Sequence, residues 1–207
     1  MEDTLAKYEL IQKEFLKDKY LVRTPYPTIG IIVLYLYIVF IYGPSYMKGK
    51  KAFQLKNVIL VYDVIQIFLN FSIAYSVITE LIATKFSYTC TLAGARLLTT
   101  GYNYYLLKVF DLTETVFFVL KQKKNQISFL HVYHHVLILL LSYIGLNMLG
   151  AGHCALYGVV NCIVHIIMYT YYFISAYKPD TQYIRLKKFV TQMQLIVQLP
   201  AMRYSFT

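Results

Sequence analysis

The chain has 207 residues, 58% of them hydrophobic and only 14% charged, and carries a net charge of +10. A soluble domain has about 25% charged residues, so this composition excludes an ordinary soluble enzyme and points to the membrane. No nucleic-acid-binding module is recognisable, and basicity alone is weak evidence for one in a membrane protein.

Residues 1–25 hold five basic and five acidic side chains. They lack the apolar core and small-residue cleavage site of a signal peptide. They read as a polar tail, with insertion through the first apolar segment. Six apolar segments follow in one transmembrane domain spanning residues 1–207. The first is Ile29–Tyr42, entered after Pro25 and Pro27 and closed by Gly43-Pro44. The second is Asn57–Ile78. The third, Tyr104–Leu120, is short and interrupted by charges. The fourth is Phe129–Leu149 and the fifth Ala155–Ala176. The sixth runs from Phe189 to Thr207, barely enough for the roughly 20 residues of a spanning helix, so the last helix reads as incomplete. The predicted fold class is all-α, a polytopic transmembrane helical bundle.

Loop charges set the orientation. Lys48, Lys50, Lys51 and Lys56 follow the first segment, and Lys121, Lys123 and Lys124 the third. Lys178, Arg185, Lys187 and Lys188 follow the fifth. The other two internal loops hold only Lys85 and Arg96. The positive-inside rule makes the richer set cytosolic and puts the N-terminal tail on the other side. With 22 tyrosines and no tryptophan, tyrosine must serve as the interfacial aromatic.

Four of the five histidines lie in apolar segments: His131, His134 and His135 in the fourth, His165 in the fifth. Ionisable groups at membrane depth are costly and are functional candidates by default. At 100° per residue the first three share an arc of about 100°, so all three imidazoles can face one cavity. Leu130, Leu137 and Leu141 fall on its flank as a packing stripe. His153 is expected in the loop on the far side. Imidazole suits either metal ligation or nucleophilic and general base catalysis. Cys90, Cys154 and Cys162 form no CxxC pair, which removes support for zinc or thioredoxin-like readings. Lys108, Asp111 and Thr115 share a face of the third segment, with Glu114 at its margin. They suit a buried ion pair between helices or a substrate contact, and the two are compatible.

The fourth segment opens Gln126-Ile-Ser-Phe-Leu-His131-Val-Tyr133-His134-His135, which resembles the QxxFLHxYHH motif of the fatty acid elongase (ELO) family. Lys108 to Thr115 resembles its KxxExxDT motif, with Asp111 and Glu114 exchanging the two acids. Asn161 to Tyr172 resembles NxxVHxxMYxYY. Thr191 to Gln194 resembles the start of TxxQxxQ, whose second glutamine is replaced by Val197. The motifs come in family order across essentially the whole chain.

The resemblance implies a condensing enzyme of the endoplasmic reticulum membrane, with helices surrounding an acyl-chain tunnel. Such an enzyme joins a long-chain acyl-CoA to malonyl-CoA, giving a 3-oxoacyl-CoA, carbon dioxide and CoA. It implies that His134 carries the acyl chain, that His131 and His135 orient it and move protons, and that His165 and Asn161 steady the reacting oxygen. Lys108, Asp111, Glu114, Tyr133, Tyr169, Tyr172 and Gln194 are the implied substrate contacts. Lys124 and Lys188 are candidates for CoA phosphates, with lipid headgroups the alternative; Tyr171 reads as packing. No metal and no redox cofactor are needed. Implied partners are membrane lipid, a second copy of the chain and the other elongation-cycle enzymes. Relatives resemble seven-helix bundles of longer chains, so a form cut within helix six is expected. Two other readings are an inactive truncated elongase that binds lipid or partner enzymes, and a di-iron desaturase or hydroxylase. The second is disfavoured because that centre needs about eight histidines, by the same kind of family resemblance.

Overall fold

The computed structural model describes residues 2–83, 95–147 and 152–177. Among them every regular element is helical: α1 (Glu2–Lys17), α2 (Tyr20–Arg23), α3 (Pro25–Tyr37), α4 (Gly43–Met47), α5 (Lys56–Ala83), α6 (Ala95–Leu120), α7 (Phe129–Asn147) and α8 (Gly152–Tyr177). A π turn, Ile38–Tyr42, joins α3 to α4, and a 3-10 turn, Lys124–Gln126, precedes α7. Four stretches among the described residues are long and apolar enough to cross a membrane: Pro25–Met47, Lys56–Ala83, Phe129–Asn147 and Ala155–Tyr177. With the repeated spans this is a multi-pass helical membrane protein. The sixth predicted segment with its Gln194, and Lys188 in the loop before it, lie outside the described residues. His153 falls in the first turn of α8 rather than in a loop.

The helices form two compact units, one of α1 to α4 with α6 and α7, the other of α5 and α8. In the first unit the expected third segment grows into the 26-residue α6, about 39 Å long at 1.5 Å per residue. Its length suffices for a crossing, yet it falls outside the apolar set, because Arg96, Lys108, Asp111 and Glu114 break its hydropathy. The helix starts at Ala95, ahead of the Tyr104 that hydropathy predicts. Thr99-Thr100-Gly101 hides the periodicity, while Leu97, Leu98 and Thr100 are in fact buried.

The first span also outruns its expected end. Gly43-Pro44 does not stop the helix. The Gly43 amide donates to Ile38 O, five residues back, and this wider turn is a common π-bulge device. It leaves room for a proline that has no amide to donate and whose ring would otherwise clash. A Cβ on Gly43 would lie 2.6 Å from Val119 Cγ1 and 2.5 Å from Ile38 O. Only glycine lets the chain pass α6 this closely.

Residues 2–17 and 20–23 are helical rather than a polar tail. Gln12 Nε2 donates to Leu146 O at 2.6 Å, near the end of α7. Phe15 meets Tyr102 edge-on, and the Lys19 ammonium sits 5.1 Å from the Tyr102 ring centroid. Leu16 and Val22 are buried. The sequence hid this packing because its buried residues are sparse among charges.

At the opposite end of the same unit, Gln122 Nε2 donates to Lys50 O at 2.7 Å and to Met47 O at 3.3 Å. Phe53 N donates to Leu120 O. Gln122 takes a left-handed φ of 53°, a conformation that costs energy for a non-glycine residue. The two bonds hold it there. They gather the loop after the first span and the loop after α6 on one side, with α1 on the other. This is the alternation that the loop charges required.

The packing stripe of α7 differs from expectation. Val132, Leu139 and Leu146 are buried, whereas Leu130 is 40% exposed. The histidines turn inward, so the apolar residues beside them follow, and the Leu130 flank is left outside.

Candidate active site

The candidate residues fall in both units, and each set is built within its own. In the first unit α6 and α7 pack together, and the polar face of α6 meets the histidines of α7. Lys108 Nζ lies 2.7 Å from Asp111 Oδ2, with side chains 0% and 1% exposed. The spacing of three residues puts the pair on one face of one helix, so the ion pair lies within α6 and not between helices. The Lys108 ammonium also sits 4.9 Å from the Tyr104 ring centroid. Burying two charges costs several kcal/mol per ion, which close contact repays only in part. Such a pair is poor evidence for a purely stabilising role.

The contacts between helices come one turn further along. Thr115 Oγ1 shares a hydrogen bond with His131 Nε2 at 2.9 Å and another with the Tyr35 hydroxyl at 2.9 Å. One buried hydroxyl therefore ties α3, α6 and α7 together. Glu114 Oε2 lies 4.0 Å from His135 Nε2. The rings of His131 and His135 are 4.4 Å apart and those of His134 and His135 5.6 Å. Phe118 covers His131 at 5.4 Å. The three imidazoles thus share one face, as their spacing predicts. His134 and His135 are buried. Among the described residues, Nδ1 of His135 has no hydrogen-bond partner and no contact with solvent.

Tyr133 is not brought to this cluster. It is 38% exposed and stacks on Phe129 at 5.8 Å. Position 133 points away from the arc of the histidines on the same helix. Lys124 is exposed in the 3-10 turn, beside a shallow depression of about 330 Å³ lined by Gln122 to Gln126.

In the second unit α8 carries Asn161 and His165 one turn apart, 5% and 2% exposed. The His165 ring lies 5.6 Å from that of Tyr169, and Tyr169 lies 6.3 Å from Tyr172. Tyr171 packs against Tyr172 at 5.7 Å. Tyr62 of α5 meets Tyr169 edge-on at 5.8 Å. Among the described residues of the whole chain no three His, Cys, Asp or Glu side chains converge as a metal-binding group.

Sequence reasoning missed Tyr35 and the polar residues of α5. It placed Thr115 on the right face without seeing that it bridges helices. Tyr35 gave no signal, since one tyrosine among 22 has nothing to mark it. Tyr62, Gln66 and Asn70 did carry a signal, because polar residues at a spacing of four in an apolar segment share a face.

Residues 20–206 match the family model described as ELO: GNS1/SUR4 family. The chain belongs to this family. Its ELO relatives include very long chain fatty acid elongase 4 of Homo sapiens, 34% identical over 184 residues, or 85% of this chain and 58% of the relative. Very long chain fatty acid elongase 7 of Drosophila melanogaster is 32% identical over 198 residues, 92% of this chain and 60% of the relative. Very long chain fatty acid elongase 5 of Tachysurus fulvidraco is 30% identical over 187 residues, 87% and 62%. The chain spans about three-fifths of the length of these ELO relatives.

Proposed function

We propose that this chain carries out the condensation step of fatty acid elongation as a 3-oxoacyl-CoA synthase. Long-chain acyl-CoA and malonyl-CoA are the substrates, and the protein sits in the endoplasmic reticulum membrane. The observation that carries the reading is the buried histidine face of α7. There His131 is held by Thr115 at 2.9 Å, and His135 keeps a ring nitrogen without a partner among the described residues. A membrane interior holds such groups only at a cost, and fatty acyl chemistry gives them employment.

In this reading His134 Nε2 attacks the thioester carbonyl and CoA leaves as the thiol, taking the proton displaced from nitrogen. The chain is then held as an acyl-imidazole. Malonyl-CoA loses carbon dioxide, and the electron pair left on its α-carbon attacks the acyl carbon and releases His134, whose ring takes up one proton from solvent to return to neutral imidazole. His131 and His135 orient His134 and move protons. Asn161 and His165 on α8 donate to the developing oxyanion. Lys108, Asp111 and Glu114 shape the site beside the histidines. Tyr169, Tyr172 and Gln194 line the acyl path, and Lys124 and Lys188 meet CoA phosphates. No metal or redox cofactor takes part. The other enzymes of the elongation cycle and a second copy of the chain are the proposed partners.

The test is condensation in microsomes, with labelled malonyl-CoA and a panel of acyl-CoAs. Label should enter 3-oxoacyl products two carbons longer. His134→Ala, inserted normally, should lower the rate at least about a thousandfold, the scale of losing a nucleophile. Full activity in that variant would sink the acyl-imidazole.

A further inference from the structure

Helix α5 carries a row of polar residues that the condensation scheme leaves unused. Tyr62, Gln66 and Asn70 stand four residues apart on one face. They are 5%, 0% and 0% exposed, in a helix apolar enough to span the membrane. Their hydrogen bonds have a direction. Asn70 Nδ2 donates to Gln66 O at 2.8 Å and to Gln66 Oε1 at 3.2 Å. Gln66 Nε2 donates to the Tyr62 hydroxyl oxygen at 2.7 Å. Each amide is thereby fixed in one orientation, and the Tyr62 oxygen is engaged as an acceptor from behind. The ring that carries it meets Tyr169 edge-on at 5.8 Å, and Tyr169 stands 5.6 Å from His165.

A network kept only for stability would close on itself. This one does not: Asn70 Oδ1 is buried with no hydrogen-bond partner among the described residues, which costs desolvation without return. The row ends with the Tyr62 ring against Tyr169, which in turn packs on His165, and that placement explains it better than stability does.

We propose that Asn70, Gln66 and Tyr62 form a directional hydrogen-bond relay that holds the Tyr62 ring against Tyr169 and so positions Tyr169 and His165. The relay rests on the reading of His165 as a site residue. Tyr62, Gln66 and Asn70 are positioning residues in it.

Two readouts on the 207-residue chain separate the relay from the reaction. Tyr62→Phe keeps the ring and removes the hydroxyl. Gln66→Met keeps length and removes the donor. Carbethoxylation of His165 by diethylpyrocarbonate, followed by peptide mass spectrometry in detergent, needs no turnover. Each variant should change the His165 rate several-fold, and the double variant should match the singles, because both cut the same string. Unchanged His165 reactivity in both variants, or changes that multiply in the double, would overturn the relay. In the condensation assay kcat should fall about tenfold at constant KM for acyl-CoA, as expected of a misplaced site group. If the wild-type chain condenses nothing while His165 still responds, the relay stands and the proposed reaction falls. Asn70→Ala, which cuts the string at its far end, reads the same relay should Gln66→Met fail to insert.

Discussion

The two units use polar groups at membrane depth in different ways. In the first, side chains bind across helices: Thr115 holds Tyr35 of α3 and His131 of α7 at once. In the second, the hydrogen bonds among Tyr62, Gln66 and Asn70 run along α5, and an edge-on ring contact sets Tyr62 on Tyr169 of α8. A cross-helix hydroxyl fixes how two helices face one another. A string along one helix fixes only which way a terminal group points. The first unit is therefore built to hold a cluster of imidazoles in a set geometry, and the second to aim one side chain.

The comparison breaks most visibly at Asp111. Asp111→Ala removes the carboxylate 2.7 Å from the buried Lys108 ammonium, and should cost about 3–5 kcal/mol, the scale for breaking a buried pair. Thermal unfolding in detergent would measure it. The paired change Lys108→Met with Asp111→Leu should recover most of that loss. If the single variant unfolds like wild type, the charges are not a buried unit.

Thr115→Val sharpens the contrast at smaller scale. It keeps the shape of the side chain and removes the hydroxyl shared by Tyr35 and His131. The expected loss is about 1–3 kcal/mol, since the buried Tyr35 hydroxyl and the half-buried His131 ring both lose a partner. Thr115→Ser should restore most of the stability and the condensation rate. A valine variant as stable and active as wild type would show that the three helices are held by apolar packing alone.

The smallest effect is expected at Tyr133. It stacks on Phe129 at the exposed surface and is absent from the imidazole cluster. Tyr133→Phe should stay within about 0.5 kcal/mol of wild type, as exposed substitutions usually do, with kcat and KM unchanged. A large loss of activity would return Tyr133 to the site and redraw its boundary.

Much of the fold was legible in the sequence, because a bilayer imposes simple rules. Length and hydropathy found the spans that later stood as α5, α7 and α8. The basic loops gave an alternation of sides, which the Gln122 contacts to Met47 and Lys50 reproduce within the first unit. The three histidines of α7 shared a face because helical spacing is fixed by the backbone. The same rules failed where packing overrode them. Gly43-Pro44 looked like a stop and became a π turn, because the approach to Val119 rewards continuing the helix. Residues 1–25 looked like a polar tail, yet Glu2–Lys17 and Tyr20–Arg23 are helices, docked by Gln12 and Leu16.

By itself, then, the sequence determined a helical membrane protein of the elongase type, with its histidines at membrane depth and on one side of their helix. Those properties follow from local periodicity and from solvent, and a single helix already obeys both. Only the tertiary structure decided who meets whom. It placed the Lys108 pair within α6 and Thr115 between Tyr35 and His131, turned Tyr133 outward, and drew Tyr62 to Tyr169. Such contacts depend on the rotation and depth of one helix against another. Those are set by the fit of particular side chains such as Gly43 and Val119, and no period in the sequence records them.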